Sequence, residues 1–362
     1  MPVSPELATG LAAGVVQHYT EAERVLLERI AKALAKGIDG PMWAERKLLE
    51  VQLIQARAKV LLTQLEQAAG QSVAEAILTA WNRGSAVAAT DLAGVLERAL
   101  ADVVDPLPGT RAVARLVEET TSKVVGTHPR ILRSTMDVYR EVVAKASGQV
   151  LLGTLTRRQA AQAALDEFAK RGVTGFVDTR GRGWDLTSYI EVAVRTATAH
   201  AAVAAHVDRL QAYGQDLIIV SDAPQECSVC RPFEGRVLSL SGSTVGTIDG
   251  AGGVRVYMSM AEATAAGLWH PNCRHSAGLY QPGVTRAMHD TADPEGDAAR
   301  QKLRYLERQI RSWKRAQAVA LDDAAGRQSG AQVRAYQAKI RDLVATTTAK
   351  RQPARERVGH AI

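Results

Sequence analysis

The chain has 362 residues, of which 46% are hydrophobic and only 4% aromatic, and it carries a net charge of +7 with a pI near 9.4. Sixty-one alanines against sixteen aromatic residues favour close-packed helices over a β-sandwich, where β-branched and aromatic side chains dominate. No apolar run is long enough to span a membrane, the first ten residues lack the pattern of a signal peptide, and three cysteines cannot build a secreted disulfide framework. The expectation is a chain made in a reducing cytoplasm.

Residues 1 to about 150 read as helix after helix. Met42 to Ala69 is the clearest, because Leu48, Val51, Gln55, Ala58, Leu62 and Leu65 recur at spacings of three and four. Pro41 suits its start and Gly70 its stop. Shorter helices are expected over Ser72–Trp81, Thr90–Val103 and Arg111–Val125, with breaks at Asp105–Gly109 and Thr127–Pro129. Ile131–Ala146 and Thr156–Lys170 continue the pattern. His18 and His128 have no clustered partners and read as ordinary structural or surface residues.

At Gly172 the texture changes. Four glycines from Gly172 to Gly183 predict a loop or tight hairpin, and no preceding strand supports a dinucleotide fingerprint there. Ser188 and Glu191 have the form of a capping box, opening a long alanine-rich helix that runs to about Tyr213. Within it, Glu191 and Arg195 read as an i,i+4 pair. Asp216–Val220 is the best strand candidate. Gly235–Leu240 and Gly253–Tyr257 are further strands, Gly242–Gly253 is an exposed loop, and Ser259–Ala266 is a short helix.

All three cysteines fall in one short window. Cys227 and Cys230 form a C-x2-C knuckle, and His270, Cys273 and His275 follow. Two thiolates from one tight turn and two donors from a second can close a tetrahedral zinc site. The candidate ligands are therefore Cys227, Cys230 and Cys273, with His270 or His275 as the fourth. A closed four-ligand Zn2+ would be structural, clipping a glycine-rich region with little core of its own. Reduced thiols without metal are the bland alternative. A thioredoxin-like pair lacks its βαβ context. Zinc-deaminase, metalloprotease, G-x-S-x-G and Walker A signatures are absent, and nothing in the sequence orients a Cys273–histidine nucleophile pair. The expectation is a protein without enzymatic activity or small-molecule substrate.

The last segment reads as a helical hairpin. Leu303, Leu306, Ile310 and Trp313 are spaced three, four and three, as are Val333, Tyr336, Ile340 and Leu343, with the turn at Gly326–Gly330. From Arg300 to Ile362 there are 15 Lys/Arg and 5 Asp/Glu, so the rest of the chain is slightly acidic. Arg304, Arg308, Arg311, Lys314, Arg315, Arg334 and Arg341 are expected largely outside. There they would form either a solvated face or a contact with nucleic acid or an acidic protein surface.

Three blocks together resemble the phage minor capsid protein 2 family, minor head proteins of tailed bacteriophages. The first runs from Gly172-Val-Thr-Gly-Phe-Val-Asp178 through Gly181-Arg182, Trp184, Ser188-Tyr189 and Glu191 to Arg195-Thr196. The second is Asn272-Cys-Arg-His-Ser276 with Pro282-Gly283, and the third is Gln301 to Lys314-Arg315 with Gln337 to Leu343. The broader group of minor head proteins shares a His-Pro-Asn-Cys-Arg turn and a preceding Cys-x-x-Cys, as here. The resemblance implies a structural component of the virion head, made in the host cytoplasm and used in head morphogenesis near the portal. Its partners would be portal and other capsid proteins, and packaged DNA; it carries over no catalytic residues. The alternative is a nucleic-acid-binding protein acting through the basic hairpin. The expected fold is mainly α with a small α+β region. A helical N-terminal body (1–171) leads to a glycine-rich α+β head domain with the Cys/His cluster (172–290), then to the basic hairpin and tail (291–362).

Overall fold

A computed structural model describes residues 5–94, 110–172, 176–177, 181, 183–223, 225–248, 253–286 and 293–358. It is mainly helical with one small mixed sheet. No described helix is long and apolar enough to cross a membrane. The chain divides into two compact units, each assembled from three separate stretches.

The first unit comprises residues 1–15, 71–123 and 191–297. It holds the start of α1 (Pro5–Ala35), the later part of α3 (Val51–Ala93), most of α4 (Thr110–Val125) and most of α7 (Leu186–Ala212). Five short strands follow: β3 (Leu217–Val220), β4 (Val237–Ser239), β5 (Gly246–Thr247), β6 (Arg255–Ser259) and β7 (Ala277–Leu279), with α8 (Met260–Ala265) after β6. The sheet order is β5-β6-β4-β3-β7; β4 and β6 run parallel and the other pairs antiparallel. Ala88 and Leu92 of α3, Val203, Val207 and Leu210 of α7, and Ile218, Val220 and Leu238 of the sheet share one core. The expected strands and the short helix are all present. The edge strand β7 has too little β-branched character to be read from sequence, and the expected loop after Gly242 contains β5.

The expected helix stop at Gly70 is corrected. After the short α2 (Trp43–Leu49), α3 runs unbroken to Ala93 through both Gly70 and Gly84. Its buried stripe continues through Leu62, Leu65, Ala69, Val73, Ala76, Ile77 and Ala80, so burial outweighs the cost of an interior glycine, about 1 kcal/mol. Leu48 is exposed on α2, and Ile54 takes the inward place. Gly84 serves close packing within the first unit, because a Cβ there would collide with the Ala202 backbone of α7. The remainder of the expected Thr90–Val103 helix, and the Asp105–Gly109 break, lie outside the described residues.

The second unit comprises residues 16–70, 124–190 and 298–362. In it α5 (His128–Leu151) and α6 (Arg157–Arg171) pack against each other, and a capping box at Thr156 and Gln159 starts α6. Phe176–Val177 (β1) pairs antiparallel with Gly183–Trp184 (β2). The cap of α7 is Asp185, whose carboxylate accepts from the backbone N–H and hydroxyl of Ser188, rather than the expected Ser188. His128 is buried and structural, with Nε2 2.7 Å from the Tyr19 hydroxyl.

The C-terminal hairpin is α9 (Pro294–Ala318) and α10 (Asp323–Thr346). Leu303, Leu306 and Ile310 meet Val333, Ile340 and Leu343 in one apolar seam, with Trp313 and Tyr336 at its side. The turn lies at 319–322, not at Gly326–Gly330, because Asp322 caps α10 through the Ala325 N–H. Both glycines are helical: a Cβ on Gly330 would lie 3.3 Å from Gln317 Nε2 of α9, and one on Gly326 3.7 Å from Ala320 Cβ in the turn.

Two of the arginines expected on the outside are buried. Arg315 lies 3.4 Å from a Glu23 oxygen and 3.3 Å from an Asp185 oxygen, and its Nε donates to the Ala169 carbonyl. Arg311 is buried beside it, donating to the Arg355 carbonyl and the Ser188 hydroxyl. Burial alone would raise the Asp185 carboxyl, but Arg315 and Arg311 outweigh it and hold its pKa below the usual value. Gly172, at φ +84°, sits against this cluster; a Cβ there would press on the Glu23 carboxylate. Removing one member of such a cluster strands the others, so Arg315→Met is expected to cost about 3–5 kcal/mol in denaturant unfolding. A loss below about 1 kcal/mol would show that the cluster holds nothing together.

Glu307 on α9 is 1% exposed, with Oε2 3.3 Å from Arg304 and 3.9 Å from Arg355 and with no hydrogen bond at Oε1. Burial outweighs the neighbouring arginines and pushes its carboxyl up to about 7. A raised acid holds its proton more tightly folded than unfolded. Its contribution is therefore full below the unfolded value of 4.5 and lost as pH climbs through about 7. Relative to Glu307→Gln, the wild type should lose about 2–3 kcal/mol of stability between pH 5 and pH 8. Equal pH slopes for the two proteins in urea melts would remove Glu307 as the source.

Candidate metal centre

Two turns of the first unit carry the cysteines, and the sheet joins them. β3 ends at Val220 opposite Ala277, where β7 begins. The pairing continues one step further, as Ser221 N–H donates to the Ser276 carbonyl and Ser276 N–H to the Ser221 hydroxyl. The segment leaving β3 therefore starts beside the segment entering β7. The first turn closes as the Cys230 and Arg231 amides donate to the Cys227 carbonyl. The second closes as Cys273 N–H donates to the His270 carbonyl.

The second turn is held from α7. Asn272 has a left-handed backbone, φ 70°, which a short amide side chain tolerates better than most. Arg195 donates to the Asn272 side-chain oxygen while pairing with Glu191 at 3.8 Å, and the Thr196 hydroxyl accepts from Asn272 N–H at 3.3 Å. One turn further along, His200 Nε2 lies 2.8 Å from the Trp269 carbonyl. These contacts join Arg195-Thr196 of the first sequence block to Asn272 of the second.

All five candidate donors gather here, in two triads that share Cys230: Cys227, Cys230 and His270, then Cys230, Cys273 and His275. Within each triad every pair of ligand atoms lies within 4.8 Å. Cys227 Sγ is 3.0 Å from His270 Nε2, Cys230 Sγ is 3.5 Å from Cys273 Sγ, and Cys273 Sγ is 3.5 Å from His275 Nδ1. Cys230 is fully buried against Phe233, Leu268 and Trp269, and Cys227 and Cys273 are half-buried at the edge of that core.

The outer nitrogen of each imidazole faces an acceptor. His270 Nδ1 is 2.7 Å from the Pro271 carbonyl, which can only accept, so that nitrogen carries the proton and Nε2 keeps its lone pair. His275 Nε2 is 2.6 Å from a Glu234 oxygen that also accepts from Ala223 N–H. The hydrogen bond from Cys230 is the largest influence on Cys273 and lowers its pKa; the same bond, with burial, raises that of Cys230. Burial opposes charge on His275, but Cys273 and Glu234 outweigh it and raise its pKa. Three thiols and two histidines arranged in this way could hold a metal ion.

Sequence reasoning missed Glu234, which orients His275, and the latch made by Arg195 and Thr196. No spacing rule marks either, since Glu234 lies after the first knuckle and meets its partner 41 residues later. The expected outer cations divide three ways: Arg308, Arg334 and Arg341 are exposed, Arg304 and Lys314 are half-buried, and Arg311 and Arg315 are buried.

The sequence matches one known family. Residues 3–345 fit the model of the family described as phage minor capsid protein 2, and the chain belongs to that family. Among its relatives is a protein named "Structural protein" from Lactococcus phage LL-H, 30% identical over 222 residues. That match covers 57% of this chain and 57% of the relative, so the chain spans little more than half of the relative's length. No solved structure matches the chain.

The latch yields a test that needs no metal. Loss of a charge-assisted hydrogen bond of about 1.5 kcal/mol or more should open the second turn roughly tenfold more often. Arg195→Ala should therefore raise the alkylation rate of Cys273 by N-ethylmaleimide about tenfold, and an unchanged rate would show that Arg195 does not hold the turn.

Proposed function

We propose that the protein is a structural minor capsid component of a tailed-phage virion, acting in head morphogenesis at or near the portal vertex. Its partners in this reading are portal and other capsid proteins. The three sequence segments would divide the work: 1–171 as a docking body, 172–290 as a metal-clipped domain and 291–362 as a basic tail. Family membership over nearly the whole chain carries the reading. Omitting the protein during phage assembly, then restoring it, tests it. The expected result is loss of infectious, DNA-filled heads without it and its recovery by mass spectrometry in heads when restored. Normal heads without it would overturn the reading.

We further propose that the Cys/His cluster binds one structural Zn2+ through Cys227, Cys230, Cys273 and His270. The His270 lone pair beside Cys227 and the wholly thiol and imidazole donor set support this choice. The ion would fix the two turns to each other where the short strands bury little area. His275, placed between Cys273 and Glu234, would steady the Cys273 thiolate from behind. The purified chain should contain about one equivalent of zinc, and less than about half an equivalent would discard the site. His270→Ala should lose zinc to a chelator at least tenfold faster than His275→Ala, and the reverse order would exchange their roles.

The exposed Arg308, Arg334 and Arg341 favour a second role, contact with packaged DNA. In that case the full chain should bind duplex DNA with a steep salt dependence, and the triple Arg→Gln variant should flatten the slope by up to about three phosphate contacts. Salt-independent binding, or none, would remove this role.

A further inference from the structure

The cluster has a second way to close. Cys230 and Cys273 come from different turns, yet their sulfurs are 3.5 Å apart. A disulfide needs about 2.05 Å, so the two sulfurs have only about 1.5 Å to close. The two segments are joined on the strand side by Ser221 and Ser276 and again where Glu234, just after the first turn, meets His275, while Arg195 holds the second turn to α7. Cys227 faces His270 at 3.0 Å, while the Cys230 sulfur faces that of Cys273. Cys230 is also fully buried in the core that holds Phe233, Leu268 and Trp269, so a bond formed there would be shielded from bulky thiol reductants.

We propose that Cys230 and Cys273 form a disulfide when the protein meets a peroxide-class oxidant, so that a covalent bond takes over the joining of the two turns from a metal ion. The first step is attack by the half-buried Cys273 sulfur on one peroxide oxygen. The O–O bond breaks, Cys273 becomes a sulfenic acid, and one water leaves with the thiol proton. Cys230 sulfur then attacks Cys273 sulfur; the S–O bond breaks, and a second water leaves with the Cys230 proton. Two thiols are oxidised by two electrons and one hydrogen peroxide is reduced to two waters. The idea rests on the virion reading only for its occasion, since a particle released from a cell leaves a reducing compartment for an oxidising one.

The test uses the full chain, zinc-loaded and chelator-stripped, treated with limiting hydrogen peroxide and then alkylated with N-ethylmaleimide. Fragmentation mass spectrometry should find Cys230 linked to Cys273 and Cys227 alkylated in most oxidised molecules. Cys227→Ser should still form the same link, and zinc loading of the unchanged chain should slow it at least tenfold. Predominant Cys227–Cys230 pairing, or sulfinic acid at Cys273 without a link, would overturn the proposal. If circular dichroism shows that stripping unfolds the chain, the zinc-loaded protein serves instead: one zinc should be released to a chromogenic chelator per Cys230–Cys273 bond formed. A chain purified without zinc that still forms this link retires the zinc reading alone. A zinc-bound chain that pairs Cys227 with Cys230 retires this proposal alone.

Discussion

Three residues of antiparallel pairing between β3 and β7 decide the layout of the candidate site. Val220 opposite Ala277 places the exit of one strand beside the entry of the other, and both donor turns grow from that end. The strands are only two to five residues long, too short to hold flanking loops by ladder bonds alone. The loops are instead held by side chains. Ser221 and Ser276 extend the pairing, Arg195 and Thr196 hold Asn272, and Glu234 holds His275. Cys230 then belongs to two systems at once, because it is both a core residue and the donor shared by the triads. A change at that position would disturb packing and donor geometry together.

The basic end of the chain has a similar double character. Counting charge along the sequence locates a positive segment but says nothing of its partners. Arg311 and Arg315 turn inward, where they meet carboxylates and backbone carbonyls, while Arg308, Arg334 and Arg341 remain outward. Part of the positive balance is thus neutralised within the second unit itself. Buried ion clusters are poor sources of stability against an apolar replacement, yet they are intolerant of losing a single member. Such a cluster enforces one arrangement of α1, α6 and α9 within that unit.

Much of the fold was legible where apolar spacing is regular. The two stripes of the C-terminal hairpin meet as their spacing implies, since residues three and four apart share a helix face. Local glycine signals misled where packing overrode them. Gly70 lies inside α3, where a continuous buried stripe outweighs one glycine, and Gly326 and Gly330 lie inside α10, where the missing side chain of Gly330 permits close approach to Gln317. At the site, the cysteine spacing pointed to the donors because two thiols on one turn need only local geometry. Glu234 and the Arg195 latch stayed hidden because their partners come from distant segments. The inward turn of Arg315 was hidden for the same reason, since its counter-charges lie on α1 and at the cap of α7.

The separation of those charges bears on how the chain is made. Glu23 and Arg315 stand 292 residues apart, so at about 5–20 residues per second the ribosome exposes Glu23 on the order of 15–60 s before its partner exists. Asp185 also waits, though for less time. Until α9 emerges, these two carboxylates have no Arg315 or Arg311 and no reason to be buried. The second unit therefore completes its interior only once α9 has emerged, and a chain shortened before α9 keeps that interior open to water.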